Sequence, residues 1–217
     1  MTMRIGLIIA ILILGGLLAW LLQWAPPGPE QPHPVLQHHT LDLAAPPIGG
    51  DFELDSIDGP VNTADLRGDV LLLYFGYTWC PDICPTNLVL IANALTLLTP
   101  EERDRVQVFF ISVDPERDSL ERLTEYSGYF HPRIRGVTGT SEQLAEIAAR
   151  FGAAYRRTEL TDSAMGYVVD HSAYSYLIDP RGRLVQILDH ATPSAELVDA
   201  IRTLLDTETR PSTTSPE

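Results

Sequence analysis

The sequence predicts an α/β domain with a mixed central sheet flanked by helices, and three observations carry that expectation. Apolar, strand-like runs alternate with helical patterns through the middle of the chain. The only two cysteines, Cys80 and Cys84, stand where the first long apolar run gives way to the first long helical pattern. A hairpin and one amphipathic helix close the sequence. Alternating elements with a closing hairpin describe an α/β sandwich. A cysteine pair at the tip of its first central strand is what a thioredoxin-like fold provides.

Ile5 to Leu22 is uncharged and almost wholly aliphatic, with Trp24 at its edge. Roughly 20 apolar residues span a bilayer core, so residues 1–24 read as an N-terminal transmembrane anchor. Arg4, the only charge ahead of it, keeps the amino terminus cytoplasmic. A cleaved signal peptide is the alternative. The run exceeds a usual signal core, however, and the candidate site after Ala25 is followed by two prolines. Residues 25–49 are proline-rich and read as an extended tether. Its His33, His38 and His39 are solvated linker residues before they are metal ligands. The domain is expected over residues 50–206, followed by a polar, disordered tail over 207–217.

Within the domain, Asp51 to Leu54 alternates like a half-buried strand, and Asp58-Gly59 supplies a hairpin turn. Thr63 to Arg67 suggests a short helical turn. Val70 to Phe75 is an unbroken β-rich apolar run and reads as a buried strand. Leu88, Ile91, Ala92, Leu95 and Leu98 recur at helical steps, ending near Thr99-Pro100. Val106 to Val113 is a second buried strand. Ser119 caps a helix to about Phe130, Ile134 to Val137 is a short strand, and Thr140 or Ser141 caps the next helix. Gly152 to Val169 is irregular or hairpin-like. Ser175 to Ile178 and Leu184 to Leu188, joined by Asp179-Pro180-Arg181-Gly182, form an antiparallel hairpin. Pro193 to Leu205 is the final helix.

The formal net charge of −14 leaves no basic patch for nucleic acid. All 15 basic residues are arginine. The chemistry therefore rests on the cysteines. A helix start favours thiolate through its peptide dipoles, and a four-residue step sets both sulfurs on one side, within reach of a disulfide or one shared metal ion. Trp79-Cys80-Pro81 keeps disulfide exchange open, and a disulfide that merely staples the loop is a further reading. Zinc fits poorly with only two cysteines. Soft thiolates select Cu(I), and an added imidazole makes a Cu(II) site possible. Among the histidines, His131 reads as a turn residue and His190 as solvent-facing. His171 directly precedes a strand whose entry loop, in a thioredoxin-like fold, lies against the cysteines. Ligand exchange with a partner favours an exposed site.

Three stretches, Gly76 to Pro85, Ser112 to Asp118 and Asp170-His171-Ser172, closely resemble the Sco/SenC copper proteins. The resemblance runs from about Phe52 to Leu205, and the anchor matches the family plan. It implies one copper ion, Cu(I) or Cu(II), held by Cys80, Cys84 and His171, with the two cysteines able to form a disulfide. Asp170 is expected behind the ligands, orienting the imidazole or a neighbouring loop. Asp82 is expected to cap the helix, dock a partner or simply be solvated. The family's task implies assembly of the binuclear copper centre of cytochrome c oxidase subunit II. It also implies an upstream copper donor, and a place on the outer, periplasmic face of a bacterial inner membrane. Other members of the family act as thiol-disulfide reductants, which is the rival task.

Overall fold

The computed structural model describes residues 12–21, 42–43, 45–161 and 163–209. The chain divides into two units, Met1–Gln37 and His38–Glu217. In the first, residues 12–21 are helical, and the remainder of the expected anchor lies outside the described residues. Among the described residues, no helix is long and apolar enough to cross a membrane. The three linker histidines and the end of the tail, residues 210–217, also lie outside them.

The second unit is built on a five-stranded mixed sheet. A hairpin of β1 (Glu53–Ser56) and β2 (Gly59–Asn62) leads through a 3-10 turn, Thr63–Leu66, into β3 (Val70–Gly76). Helices α1 (Ile83–Leu97) and α2 (Pro100–Asp104) then connect to β4 (Val106–Ser112). Helix α3 (Leu120–Phe130) connects β4 to β5 (Ile134–Val137), and α4 (Ser141–Phe151) follows. A separate two-stranded hairpin, β6 (Tyr155–Glu159) and β7 (Tyr167–His171), precedes the closing hairpin of β8 (Ser175–Ile178) and β9 (Leu184–Leu188) and the last helix, α5 (Ser194–Thr209). The sheet order is β5-β4-β3-β8-β9. The pairs β3–β4 and β4–β5 are parallel, β3–β8 and β8–β9 antiparallel. Each parallel pair needs a crossover, which α1 with α2, and then α3, supply.

Every residue of β3 is buried, as an uninterrupted apolar run at the centre of a sheet requires. Successive side chains serve opposite layers. Tyr74 faces α1 and stacks with Phe110 of β4, which in turn meets Tyr126 of α3. Phe75 faces the other way, against Phe151 of α4 and Tyr176 of β8. Helix α4 opens on a full capping box, Thr140 with Gln143, and stops at Gly152, whose φ of 71° is left-handed. The chain joins this unit beside that stop: the amides of Ile48 and Gly49 both donate to the Arg150 carbonyl, at 2.8 and 2.9 Å. A Cβ on Gly152 would meet the Ala45 carbonyl oxygen at 2.6 Å.

Three elements depart from the sequence reading. The first long helix does not simply end near Pro100. Thr99 and Glu102 form a second capping box with proline at the helix start, giving the short α2. The stretch after Gly152 takes the hairpin-like of its two readings, but His171 closes its second strand rather than preceding a strand directly. The last helix runs on to Thr209, past the expected boundary.

The sheet register decides where the three motifs meet. Gly76 pairs with Ser112 at the ends of β3 and β4, and Tyr74 pairs with Ser175 at the start of antiparallel β8. The cysteine loop, the turn after β4 and the segment before β8 therefore emerge at one end of the sheet. Gly76 is required there for close approach, since a Cβ would lie 2.6 Å from the Cys84 sulfur and 2.8 Å from the Phe110 ring. We expect Gly76→Ala to cost about 1–3 kcal/mol by overpacking, read by urea denaturation, and to displace the Cys84 sulfur. Unchanged stability would show that this end of the sheet is looser than described.

Candidate metal centre

Helix α1 begins one residue before Cys84, so Cys84 lies in its first turn and Cys80 in the turn ahead of it, where the Cys80 amide donates to Tyr77 O at 3.2 Å. His171 arrives from β7. The two sulfurs and a ring nitrogen of His171 all lie within 4.8 Å of one another. The pair that the sequence places at one site is thus joined by the expected histidine, and among the described residues no other group of three such ligands occurs. Both cysteines are free thiols in this structure. All three side chains are buried, contrary to the expectation of an exposed site. The reason is that β7 and the aromatic residues Tyr74 and Tyr77 close over the strand tip. Their rings meet the imidazole edge-on, at centroid distances of 6.3 and 5.9 Å.

The tautomer of His171 follows from its partners. Nδ1 lies 3.0 Å from the Ser172 carbonyl oxygen, which can only accept, so Nδ1 carries the proton. Nε2 is left with its lone pair, 3.3 Å from the Cys84 sulfur. An imidazole held this way presents one nitrogen for ligation with its orientation already set. Two soft sulfurs and one imidazole nitrogen suit copper in either common oxidation state.

Asp170 does not orient the imidazole. Neighbouring residues of a strand point to opposite faces, and its carboxylate instead accepts from the Thr158 hydroxyl at 2.7 Å and from Arg156 at 3.3 Å, across the β6–β7 hairpin. Asp82 is exposed and occupies the N-cap position of α1, but its side chain makes no capping hydrogen bond. Its φ and ψ are −137° and −68°. His131 accepts from the Arg133 amide in the turn after α3, as a turn residue should. His190 is exposed, yet its Nδ1 lies 2.9 Å from the Asn87 amide nitrogen, and Asn87 in turn donates to the Tyr74 hydroxyl at 2.9 Å.

The sequence singles out Ser112 to Asp118 by resemblance alone and assigns no contacts to it. In the structure Asp118, fully buried, receives the Thr78 amide at 2.9 Å, the Thr78 hydroxyl at 2.6 Å and the Ser112 hydroxyl at 2.6 Å. Arg122 reaches the same threonine hydroxyl and lies over the Trp79 ring. The cysteine loop is thus held from β4 as well as from β3. The order of residues alone carries no signal for this; only the register of β3 and β4 does.

The two thiols are electrostatically unequal. A hydrogen bond from the Cys84 thiol, working against burial, pulls Cys80 far below the usual thiol range. Burial, reinforced by the neighbouring Cys80, pushes Cys84 well above it. Because a lowered pKa means thiolate at lower pH, the reduced protein carries one thiolate at pH about 7, where an ordinary cysteine of pKa about 8.5 is protonated. Thiolate absorbance should show one step well below that value and a second well above it. Two ordinary, overlapping steps would contradict the geometry.

Comparison with known proteins places this arrangement in context. The sequence model of the SCO1/SenC family matches residues 42–206. A SCO2-like protein of Rickettsia conorii is 37% identical over 156 residues, covering 71% of this chain and 76% of that protein. The copper-bound structure of Arabidopsis thaliana ScoI superposes with a TM-score of 0.65 at 36% identity, covering 74% of this chain and 99% of that one. Copper-bound yeast Sco1 gives 0.67 at 31% identity, covering 79% and 97%. With its fold, its cysteine loop and its histidine strand all matched over that span, the chain belongs to the SCO1/SenC family.

Proposed function

We propose that this chain is a membrane-anchored copper metallochaperone that helps assemble the binuclear copper centre of cytochrome c oxidase subunit II. The observation that carries the reading is the Cys80–Cys84–His171 cluster, three ligand atoms within 4.8 Å with Nε2 of the histidine free to ligate. Relatives at 36% and 31% identity hold copper. As thiolates the two cysteines hold Cu(I), and the neutral imidazole completes the site, above all for Cu(II). The apolar run Ile5 to Leu22 supports a single-pass anchor over residues 1–24 in a bacterial inner membrane. The proline-rich residues 25–49 then act as a tether to a periplasmic domain. An upstream chaperone loads the site, and subunit II receives the metal by ligand exchange. Since the ligands are buried, exchange requires the loop or the hairpin to yield.

A second reading, a thiol-disulfide reductant acting on the acceptor's cysteines, is favoured by the unequal thiols. A low-pKa Cys80 beside a protonated Cys84 is the arrangement of a nucleophile and its resolving partner. Anaerobic copper titration of the reduced full chain in detergent separates the two. A metallochaperone binds about one copper, and its Cu(II) form shows thiolate-to-copper charge transfer that Cys80→Ser and His171→Ala each abolish or displace. Thiol exchange needs only the cysteines, so a protein that takes up no stoichiometric copper, reduces a disulfide substrate rapidly and tolerates His171→Ala is a reductant.

A further inference from the structure

The two halves of the metal centre come from parts of the fold that share no backbone ladder. Cys80 and Cys84 follow β3, in the main sheet, whereas His171 ends a two-stranded hairpin that pairs only with itself. The pairing of Tyr74 with Ser175 brings the two halves to the same end of the sheet, and side-chain contacts set how His171 sits against the cysteines. The hairpin is gripped at the base of β7. Arg117 donates through Nη1 to the carbonyls of Tyr167 and Met165, at 3.0 and 3.3 Å, and through Nε to Asp114 at 2.6 Å. The Tyr167 hydroxyl donates to the other oxygen of Asp114, at 2.7 Å. The guanidinium of Arg117 lies 3.5 Å from the Tyr167 ring centroid and that of Arg157 3.7 Å. At those distances both cannot occupy one side, so the ring is clasped between two cations. Arg157 also pairs with Glu116, at 2.9 Å.

The next residue along the same turn, Asp118, holds the other half. Its carboxylate takes the amide and hydroxyl of Thr78, two residues before Cys80. Consecutive side chains therefore grip opposite halves of the site; the Ser112 hydroxyl ties the turn to the sheet, and the Asp118 amide, donating to Asp114 O at 3.0 Å, closes the turn on itself.

We propose that the Asp114–Asp118 turn is a brace that registers the histidine half of the metal centre with the cysteine half, Arg117 being the positioning residue for His171 and Asp118 that for the cysteine loop. The proposal rests on the copper reading for its consequence but not for its geometry, and the test separates the two. Arg117→Lys keeps a charge beside Asp114 but loses the planar fork and its stacking on Tyr167. Asp118→Asn keeps the shape but loses the charge-assisted bonds to Thr78. Amide hydrogen exchange is measured on the reduced, metal-free full chain in detergent, and the Cu(II) spectrum on the loaded protein.

Arg117→Lys should raise exchange at Tyr167–His171 by about tenfold or more, with β3 and β4 as protected as in the parent. It should still bind copper through the cysteines, with the Cu(II) spectrum displaced toward that of His171→Ala. Asp118→Asn should loosen the amides of residues 76–80 and leave the hairpin unchanged. The brace is refuted if Arg117→Lys leaves both hairpin exchange and spectrum as in the parent. It is equally refuted if either variant loosens all strands together, which is a purely structural role. A parent chain that binds no copper sinks the copper reading alone, and the exchange pattern still decides the brace.

Discussion

The centre of this molecule depends on one buried carboxylate. Asp118 is almost wholly buried, and Arg122, the cation paired with it, approaches only to 3.8 Å. It is stabilised instead by three short hydrogen bonds, from the Thr78 amide, the Thr78 hydroxyl and the Ser112 hydroxyl. A buried charge is tolerable only when its acceptor positions are filled. The carboxylate therefore demands that the chain leaving β3 and the chain leaving β4 stay side by side. The parallel register of those strands makes the bonds possible, and the bonds hold the loop that carries Cys80.

Around that fixed point the two thiols acquire different characters from their surroundings alone. Cys84 is enclosed by Gly76, Phe110 and Tyr74, an apolar environment that resists charge. Cys80 has the Cys84 thiol turned toward it as a donor and accepts charge readily. Nothing in a CxxxC spacing distinguishes the two; the asymmetry comes from which of them enters the helix.

Much of the architecture is legible in the sequence because local signals and burial agree. The apolar run Val70 to Phe75, the capped starts at Ser119 and Thr140 and the turn Asp179 to Gly182 each name their own element. The short α2 carried a readable signal as well, the capping box of Thr99 with Glu102. The hairpin β6–β7 was legible only as irregular or hairpin-like, since Tyr155-Arg156-Arg157-Thr158-Glu159 is polar and largely exposed and owes its strand form to its partner. For the centre, the identity of the meeting residues is legible and their environment is not. The burial of the site, the Ser172 carbonyl behind His171 and the outward role of Asp170 all depend on which face of a strand a residue takes. That is decided by sheet packing rather than by spacing.

The point at which the chain joins the domain has a steric consequence. The amides of Ile48 and Gly49 are fastened to Arg150, and the Ala45 carbonyl sits against Gly152. Tyr155, the residue paired with His171, lies three positions after Gly152, a span of roughly 10 Å at full extension. Residues 45–49 thus run close beside the histidine edge of the centre. A protein that approached from that edge would have to share the space with them, so the entry of the chain into the domain shapes that edge as a landing surface.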